Sequence, residues 1–353
     1  MTVLFQSVLR RAAAPLQRRA AARYVAGPRV EDALAVSREL GRHGIPTTIG
    51  YFDPDGEPEQ AVAATVLEAI DAVAEAGLDC YQSVKVPSLG FDGELIGQVL
   101  ARGAAQGVPI HYDALSHGTV DRSLALLDAG GPGTPPPGFT LPGGWRRSVG
   151  DADLVAGRDL RVRVVKGQYR DPAASGPSRT AMKHRPAFGA GRVDLRAGCL
   201  EVIDRLAGRA GTVAVATHDP VLAAEALGRL VAAGTPCELE LLYGLAAGPV
   251  LAATRELGMP VRYYVPWGRG SLTFPLWRIG ELRLLGAFLG DLAGRRRRYP
   301  EGLQSSGDRW PPAAWVRSAG DAARPLPRVR PAARPLAGPG QPHPCSMRQH
   351  GGP

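Results

Sequence analysis

The sequence predicts an α/β chain folded as a (β/α)8 barrel of the TIM type, with helices before it and a disordered tail after it. Three observations carry that expectation. Short β-branched or apolar runs recur eight times, each followed by an alanine- and leucine-rich segment of helical character. No GxGxxG follows the first run, which argues against a doubly wound open sheet. With 353 residues, 44% of them hydrophobic, the chain is long enough to bury one large core.

The elements follow in order. Residues 3–22 carry arginines and no acidic residue. They read as an amphipathic helix packing on the domain, although the composition also resembles a mitochondrial presequence. A helical pattern resumes after Gly27-Pro28 and runs through Val30–Arg42, which gives an N-terminal helical segment over residues 1–45. The barrel is expected over residues 46–294. Its strands fall at 46–52, 79–86, 108–114, 138–142, 161–167, 212–218, 237–244 and 260–267. Helical patterns lie near 58–77, 92–106, 117–129, 147–157, 193–209, 220–233, 247–257 and 274–293. Two loops break the rhythm. One is stiffened by Pro135-Pro136-Pro137 before strand four, and the other, 172–191, follows strand five on the side where barrels carry their chemistry.

From residue 295 onward the composition turns to Arg, Pro, Ala and Gly. A tail over 295–353 of that kind buries too little apolar surface to fold alone. It also explains the net charge of +9. Eleven arginines against Glu301, Asp308 and Asp321 give 11 − 3 = +8, so residues 1–294 carry only 9 − 8 = +1. The main body has no charge bias toward nucleic acid. The run Arg295–Arg298 could touch acidic lipid, but we read the tail as solvated. Cys80, Cys199, Cys237 and Cys345 show neither CxxC nor zinc spacing, so we expect reduced thiols and a cytoplasmic protein. No run of about eighteen apolar residues suggests a spanning helix.

The most informative stretch is Arg161-Val162-Arg163-Val164-Val165-Lys166-Gly167. It reads as a buried strand that places Arg163 inside the fold and Lys166 at the carboxyl end. A buried cation needs an anion or an electron-rich ligand. An internal salt bridge and a ligand site are both open on this stretch alone. The other strand ends add Lys85, Asp113, Pro142, Thr217-His218-Asp219, Glu240 with Tyr243, and Tyr264. The set is rich in cations and lacks the cluster of His and carboxylates that a hydrolytic metal site requires. No metal is expected. Cations around a cavity suit an anionic ligand, such as a phosphate-bearing cofactor or a carboxylate substrate.

The order SVKVPSL, HYDA, TLPG, RVRVVKGQY, VATHD, CELELLYG and VRYYVPWG resembles the proline dehydrogenase family of FAD-containing (β/α)8 barrels, over roughly residues 24–290. The resemblance implies oxidation of L-proline to 1-pyrroline-5-carboxylate, with electrons passed to a membrane quinone. A peripheral place at the inner face of the membrane would follow. It implies that Arg163 lies beside the flavin N5 and that Lys166, Gly167 and Gln168 follow the cofactor's chain. Ala114, Thr217 and His218 would also contact FAD, and Glu281 would lie near the adenosine end. Asp113, Lys85 and Tyr264 would sit on the substrate side, with Lys85 and Arg278 toward the carboxylate. A guanidinium at N5 stabilises the charge that builds on a reducing flavin.

Some positions depart from the family pattern. Where the family has a tyrosine and then two adjacent arginines that fork the carboxylate, this chain has Phe274, Trp277 and Arg278. A flavin-contacting glutamine falls at Pro142, and the glutamine of strand seven is Glu240. The sequence therefore leaves open a flavoenzyme for another cyclic or secondary amine, and a barrel that has lost catalysis and serves as a binding protein. A metal hydrolase built on His111, His218 and Asp113 lacks further ligands nearby.

Overall fold

The computed structural model describes residues 24–166 and 194–270. Within them eight parallel strands close into one barrel in sequence order, β1 (Thr47–Phe52), β2 (Cys80–Val84), β3 (Ile110–Tyr112), β4 (Gly138–Pro142), β5 (Arg161–Val165), β6 (Thr212–Ala216), β7 (Cys237–Leu242) and β8 (Val261–Gly268). Helix α1 (Val30–Arg42) precedes the barrel. The outer layer comprises α2 (Glu59–Glu75), α3 (Gly93–Gln106), α4 (Val120–Leu124), α5 (Arg147–Ala156), α6 (Leu195–Leu206), α7 (Pro220–Ala232) and α8 (Gly248–Thr254). This is the expected (β/α)8 architecture. The helical pattern at 274–293, the loop at 172–191 and the tail at 295–353 lie outside the described residues.

Local chemistry sets the helix starts nearest the carboxyl ends of the strands. Asp92, Asp194 and Asp219 each turn a carboxylate onto two backbone N–H groups of the first turn, opening α3, α6 and α7. Pro220 then fits the first helical position of α7, where no N–H is needed. Expectation and structure part over 117–129. Only Val120–Leu124 is α-helical, and beyond Ala125 the chain forms tighter turns bonded three residues back, as from Leu126 N to Ser123 O and from Leu127 N to Leu124 O. The Leu126 carbonyl accepts both Ala129 N at 3.3 Å and the Tyr112 hydroxyl at 3.1 Å, which ties these turns to β3. Val86, expected in strand two, instead opens a short turn with Pro87, because proline cannot continue the ladder.

The barrel inverts the usual partition of side chains. Barrel interiors are ordinarily filled by branched apolar residues. Here Val162, Val164, Leu239, Leu241, Tyr263 and Val265 are buried in the apolar core. At the alternate positions Arg161 and Arg163 of β5 pair with Glu238 and Glu240 of β7, across strands that are not neighbours, which places them inside the barrel, and Arg262 of β8 joins them through Glu238. Those five residues are at most 6% exposed. Neighbouring interior positions are kept small. A Cβ at Gly138 would lie 2.1 Å from His111 Nδ1, and one at Gly50 would lie 2.1 Å from the Tyr264 hydroxyl.

Candidate active site

The interior charges form one ladder from mouth to mouth. At the amino end, Asp79 meets the Arg262 guanidinium at 3.3 Å. Arg262 donates to Glu238 at 3.1 Å, and Glu238 accepts Arg161 Nε at 2.7 Å. Arg161 Nη2 reaches Glu240. Glu240 accepts Arg163 through two bonds, Nε to Oε2 at 3.0 Å and Nη2 to Oε1 at 2.7 Å. Arg163 Nη1 continues to Asp113 Oδ1 at 2.5 Å, and the Tyr264 hydroxyl donates to Asp113 Oδ2 at 2.7 Å. The Tyr81 ring lies against both the Arg161 and the Arg262 guanidinium.

Burial pushes the Glu240 carboxyl up, but Arg161 and Arg163 outweigh it and hold the group at about 2. Glu238 is also held below the usual carboxylate range, with Arg262 and Arg161 overcoming burial. His111 is driven well below its ordinary value by burial and by the positive charge of Arg163, Arg161 and Arg262. Its Nδ1 accepts Arg161 Nη1 at 3.4 Å, which leaves Nε2 to donate to Thr140 Oγ1 at 2.9 Å. Such a ring is a neutral strut between β3 and β4. No cluster of metal-ligating side chains occurs among the described residues.

The predicted site residues of the described segments gather at the carboxyl mouth, although not as free cations. Lys85, expected to face a substrate carboxylate, donates to Asp53 at 3.1 Å and to the Tyr51 carbonyl, and lies 3.9 Å from the centre of the Phe52 ring. Burial lowers its affinity for a proton, against the pull of Asp53 and Asp113. Lys166 is paired with Asp219 at 2.7 Å, and Arg196 shares that carboxylate. Thr217 accepts the Asp219 N–H at 3.1 Å.

His218 was expected to reach the cofactor, but both its nitrogens serve the backbone. Nε2 accepts Leu242 N at 2.9 Å and Nδ1 faces the Ala246 carbonyl at 3.1 Å, bracing the loop after β7. What remains for a ligand is its ring face. Ala114 follows Asp113, half-buried at the same mouth. Gly167, Gln168, Arg278 and Glu281, together with Phe274 and Trp277, lie outside the described residues.

Sequence reasoning missed Asp53, Asp79, Arg196 and Arg262, and gave no pairing role to Arg161 or Glu238. The signal was present in part. Arg-Val-Arg-Val in β5 and Glu-Leu-Glu-Leu in β7 are complementary alternations two strands apart.

The mouth suits a flavin. Val165, Ala216 and Leu242 end β5, β6 and β7 half-buried, a run of small and apolar groups directly beyond the Arg163 and Glu240 layer. Guanidinium, ammonium and hydroxyl donors surround them, which fits a flat ring with polar edges and a phosphate-bearing chain.

No family model matches the chain. A protein of Bacillus subtilis subsp. natto named proline dehydrogenase 1 is 28% identical over 285 residues, covering 76% of this chain and 89% of that protein. A Deinococcus radiodurans protein named proline dehydrogenase is 27% identical over 286 residues, covering 76% and 88%. Over about three quarters of its length the chain is thus similar to proteins named proline dehydrogenase. Among solved structures, proline utilization A (PutA) of Bdellovibrio bacteriovorus, inactivated by N-propargylglycine, superposes with a TM-score of 0.61 at 16% identity over 82% of this chain. PutA of Bradyrhizobium japonicum gives 0.53 at 17% identity over 70%. At those identities the two structures bear on the fold alone, and the chain spans about a third of their length (35% and 29%). Within this barrel, the interior ladder running into the mouth is the feature that the chain's own residues define. No helix among the described residues is long and apolar enough to cross a membrane.

Proposed function

We propose that the chain is an FAD-dependent dehydrogenase that oxidises L-proline to 1-pyrroline-5-carboxylate in proline catabolism. The observation that carries this reading is the Arg163 guanidinium, buried at the carboxyl mouth and tied through Asp113 to Tyr264. The relatives named proline dehydrogenase support the substrate. In this reading Arg163 faces the flavin N5, with Ala114, Thr217 and the His218 ring against the cofactor. Lys166, Gly167 and Gln168 follow its chain, and Glu281 lies toward the adenosine. Bound there, FAD supplies the hydride acceptor for the carbon beside the substrate nitrogen.

The protein's own part is positioning and charge. Arg163, itself buried, offers fixed positive charge at the mouth, where an oriented donor is worth more than in solution. Asp113 accepts from both Arg163 and Tyr264, which links the placement of the two. Burial and Asp113 raise the Tyr264 hydroxyl well above its ordinary range, so it remains a hydrogen-bond donor at neutral pH. Lys85 and Arg278 take the substrate carboxylate. The electrons leave to a quinone, with the protein peripheral at the inner face of the membrane.

An absorption spectrum tests the reading. Purified protein is expected to show oxidised flavin bands that bleach under anaerobic proline. Colourless protein that gains no such bands with excess FAD would count decisively against it. A second reading keeps the flavin and changes the substrate to another cyclic or secondary amine. It is favoured by Lys85 being tied to Asp53 and by Trp277 standing where the family has an arginine. One lost charge-assisted pair is worth about 1.5–3 kcal/mol, or about tenfold or more in binding. Stopped-flow reduction by proline, hydroxyproline and uncharged cyclic amines separates the two readings, and Trp277→Arg is expected to improve proline turnover. Tight, fast proline oxidation by the unaltered protein would remove the second.

A further inference from the structure

We infer that Glu240 and Arg161 act as one positioning unit, fixing both the direction and the effective charge of the Arg163 guanidinium. The inference rests on the reading of Arg163 as the residue beside the flavin. Glu240 takes Arg163 through Nε and Nη2 together, at 3.0 and 2.7 Å. Two parallel bonds fix the plane of the guanidinium, where a single bond would fix only a point. The remaining edge, Nη1, is thereby turned to Asp113 at the mouth.

The same carboxylate accepts Arg161 Nη2 from the opposite side, and the Arg161 side chain is only 4% exposed. Glu240 is 2% exposed. Charges so placed are little screened and act on one another at close range.

Charge arithmetic then assigns the roles. Glu240 alone would cancel the charge of Arg163. Asp113 bears on Arg163 from the other side. Arg161, on the far side of Glu240, offsets the Glu240 charge, so Glu240 and Arg161 shift the field at the mouth in opposite senses while the guanidinium keeps one orientation. Stability does not call for this arrangement, because replacing a buried ion group with well-packed apolar residues is often neutral or stabilising. Apolar filling is also the ordinary content of such barrels. Carboxylate and guanidinium instead have opposite, separable effects on the field at the mouth.

The test uses the full-length protein loaded with FAD and the variants Glu240→Gln, Arg161→Met and the double variant. Two quantities are measured, the midpoint potential of the bound flavin and the thermal midpoint of protein stripped of flavin. Glu240→Gln removes a negative charge, and the potential is expected to rise. Arg161→Met removes a positive charge, and the potential is expected to fall. The double variant is expected to return toward the unaltered value. Its thermal midpoint should fall by less than the sum of the two single losses. Shifts of the same sign in both single variants, no shift in either, or additive thermal losses would overturn the unit.

If Glu240→Gln does not fold, Arg161→Lys stands in. Lysine keeps the charge, so its potential should match the unaltered protein while that of Arg161→Met falls, and equal potentials in the two would sink the idea. Protein that takes up no FAD defeats the functional reading on which this rests. Flavin-loaded protein with same-sign shifts defeats only the positioning unit.

Discussion

Arg163 is held by two carboxylates, and this changes what its removal does. Met in its place leaves Glu240 and Asp113 without the cation that both face. Breaking a buried pair from one side costs about 3–5 kcal/mol, so Arg163→Met is expected to lower the unfolding free energy by that order. Flavin reduction should fall with it by about 10²–10³, the value of one oriented electrostatic contact. Arg163→Lys keeps the charge and loses the two-bond grip on Glu240, so it should recover most of the stability and little of the rate. Denaturant unfolding and single-turnover reduction measure the two effects separately. A lysine variant that reduces flavin at the unaltered rate would show that charge alone matters and that orientation does not.

At the scale of strands and helices, two glycines set how closely the interior can pack. At Gly138 an added methyl meets His111 Nδ1 at 2.1 Å and the Arg161 carbonyl at 2.8 Å. The second obstacle is backbone, so β5 itself must shift. Gly138→Ala should destabilise by about 1–3 kcal/mol or more through overpacking, and a thermal midpoint equal to the unaltered protein's would refute the close fit. At Gly50 the obstacle is the Tyr264 hydroxyl, and the ring must swing from Asp113. Gly50→Ala is therefore expected to raise the apparent KM with a smaller loss of stability. An unchanged KM would show that the Tyr264 to Asp113 bond does not shape the substrate side.

The strands were largely legible because β-branched runs and glycine-bounded turns are local signals, and β4 falls at 138–142 as read. The helix over 117–129 was overread because the chain passes into turns after Leu124, and their tie to β3 through Tyr112 and the Leu126 carbonyl is a contact that no local window contains. The site was legible as a list of polar strand ends. Its pairing was not, since Lys85 to Asp53 and Arg262 to Asp79 join residues 32 and 183 positions apart.

For the molecule as a whole, the buried charges couple folding to pH. Glu240, at about 2, and Glu238 and Asp219, both held below the usual carboxylate range, are depressed in the fold. A depressed carboxyl adds stability that is complete above its unfolded value of about 4 and is lost as pH falls toward its folded one. His111 is depressed as well, so protonation of its unfolded form starts to favour unfolding below about pH 6.5. The urea midpoint is therefore expected to fall between pH 6.5 and pH 3, and to fall less steeply in Glu240→Gln. Equal slopes in the two proteins would show that Glu240 titrates normally.

The same ladder bears on how this barrel can drift over generations. An interior of valines and leucines tolerates one replacement at a time, because each misfit is local. Here a lone change at Arg161, Glu238, Glu240 or Arg262 strands an opposite charge that is almost wholly buried. Descendants of this chain should therefore alter these positions in matched pairs, and a library that varies them jointly should contain combinations more stable than the single changes that lead to them.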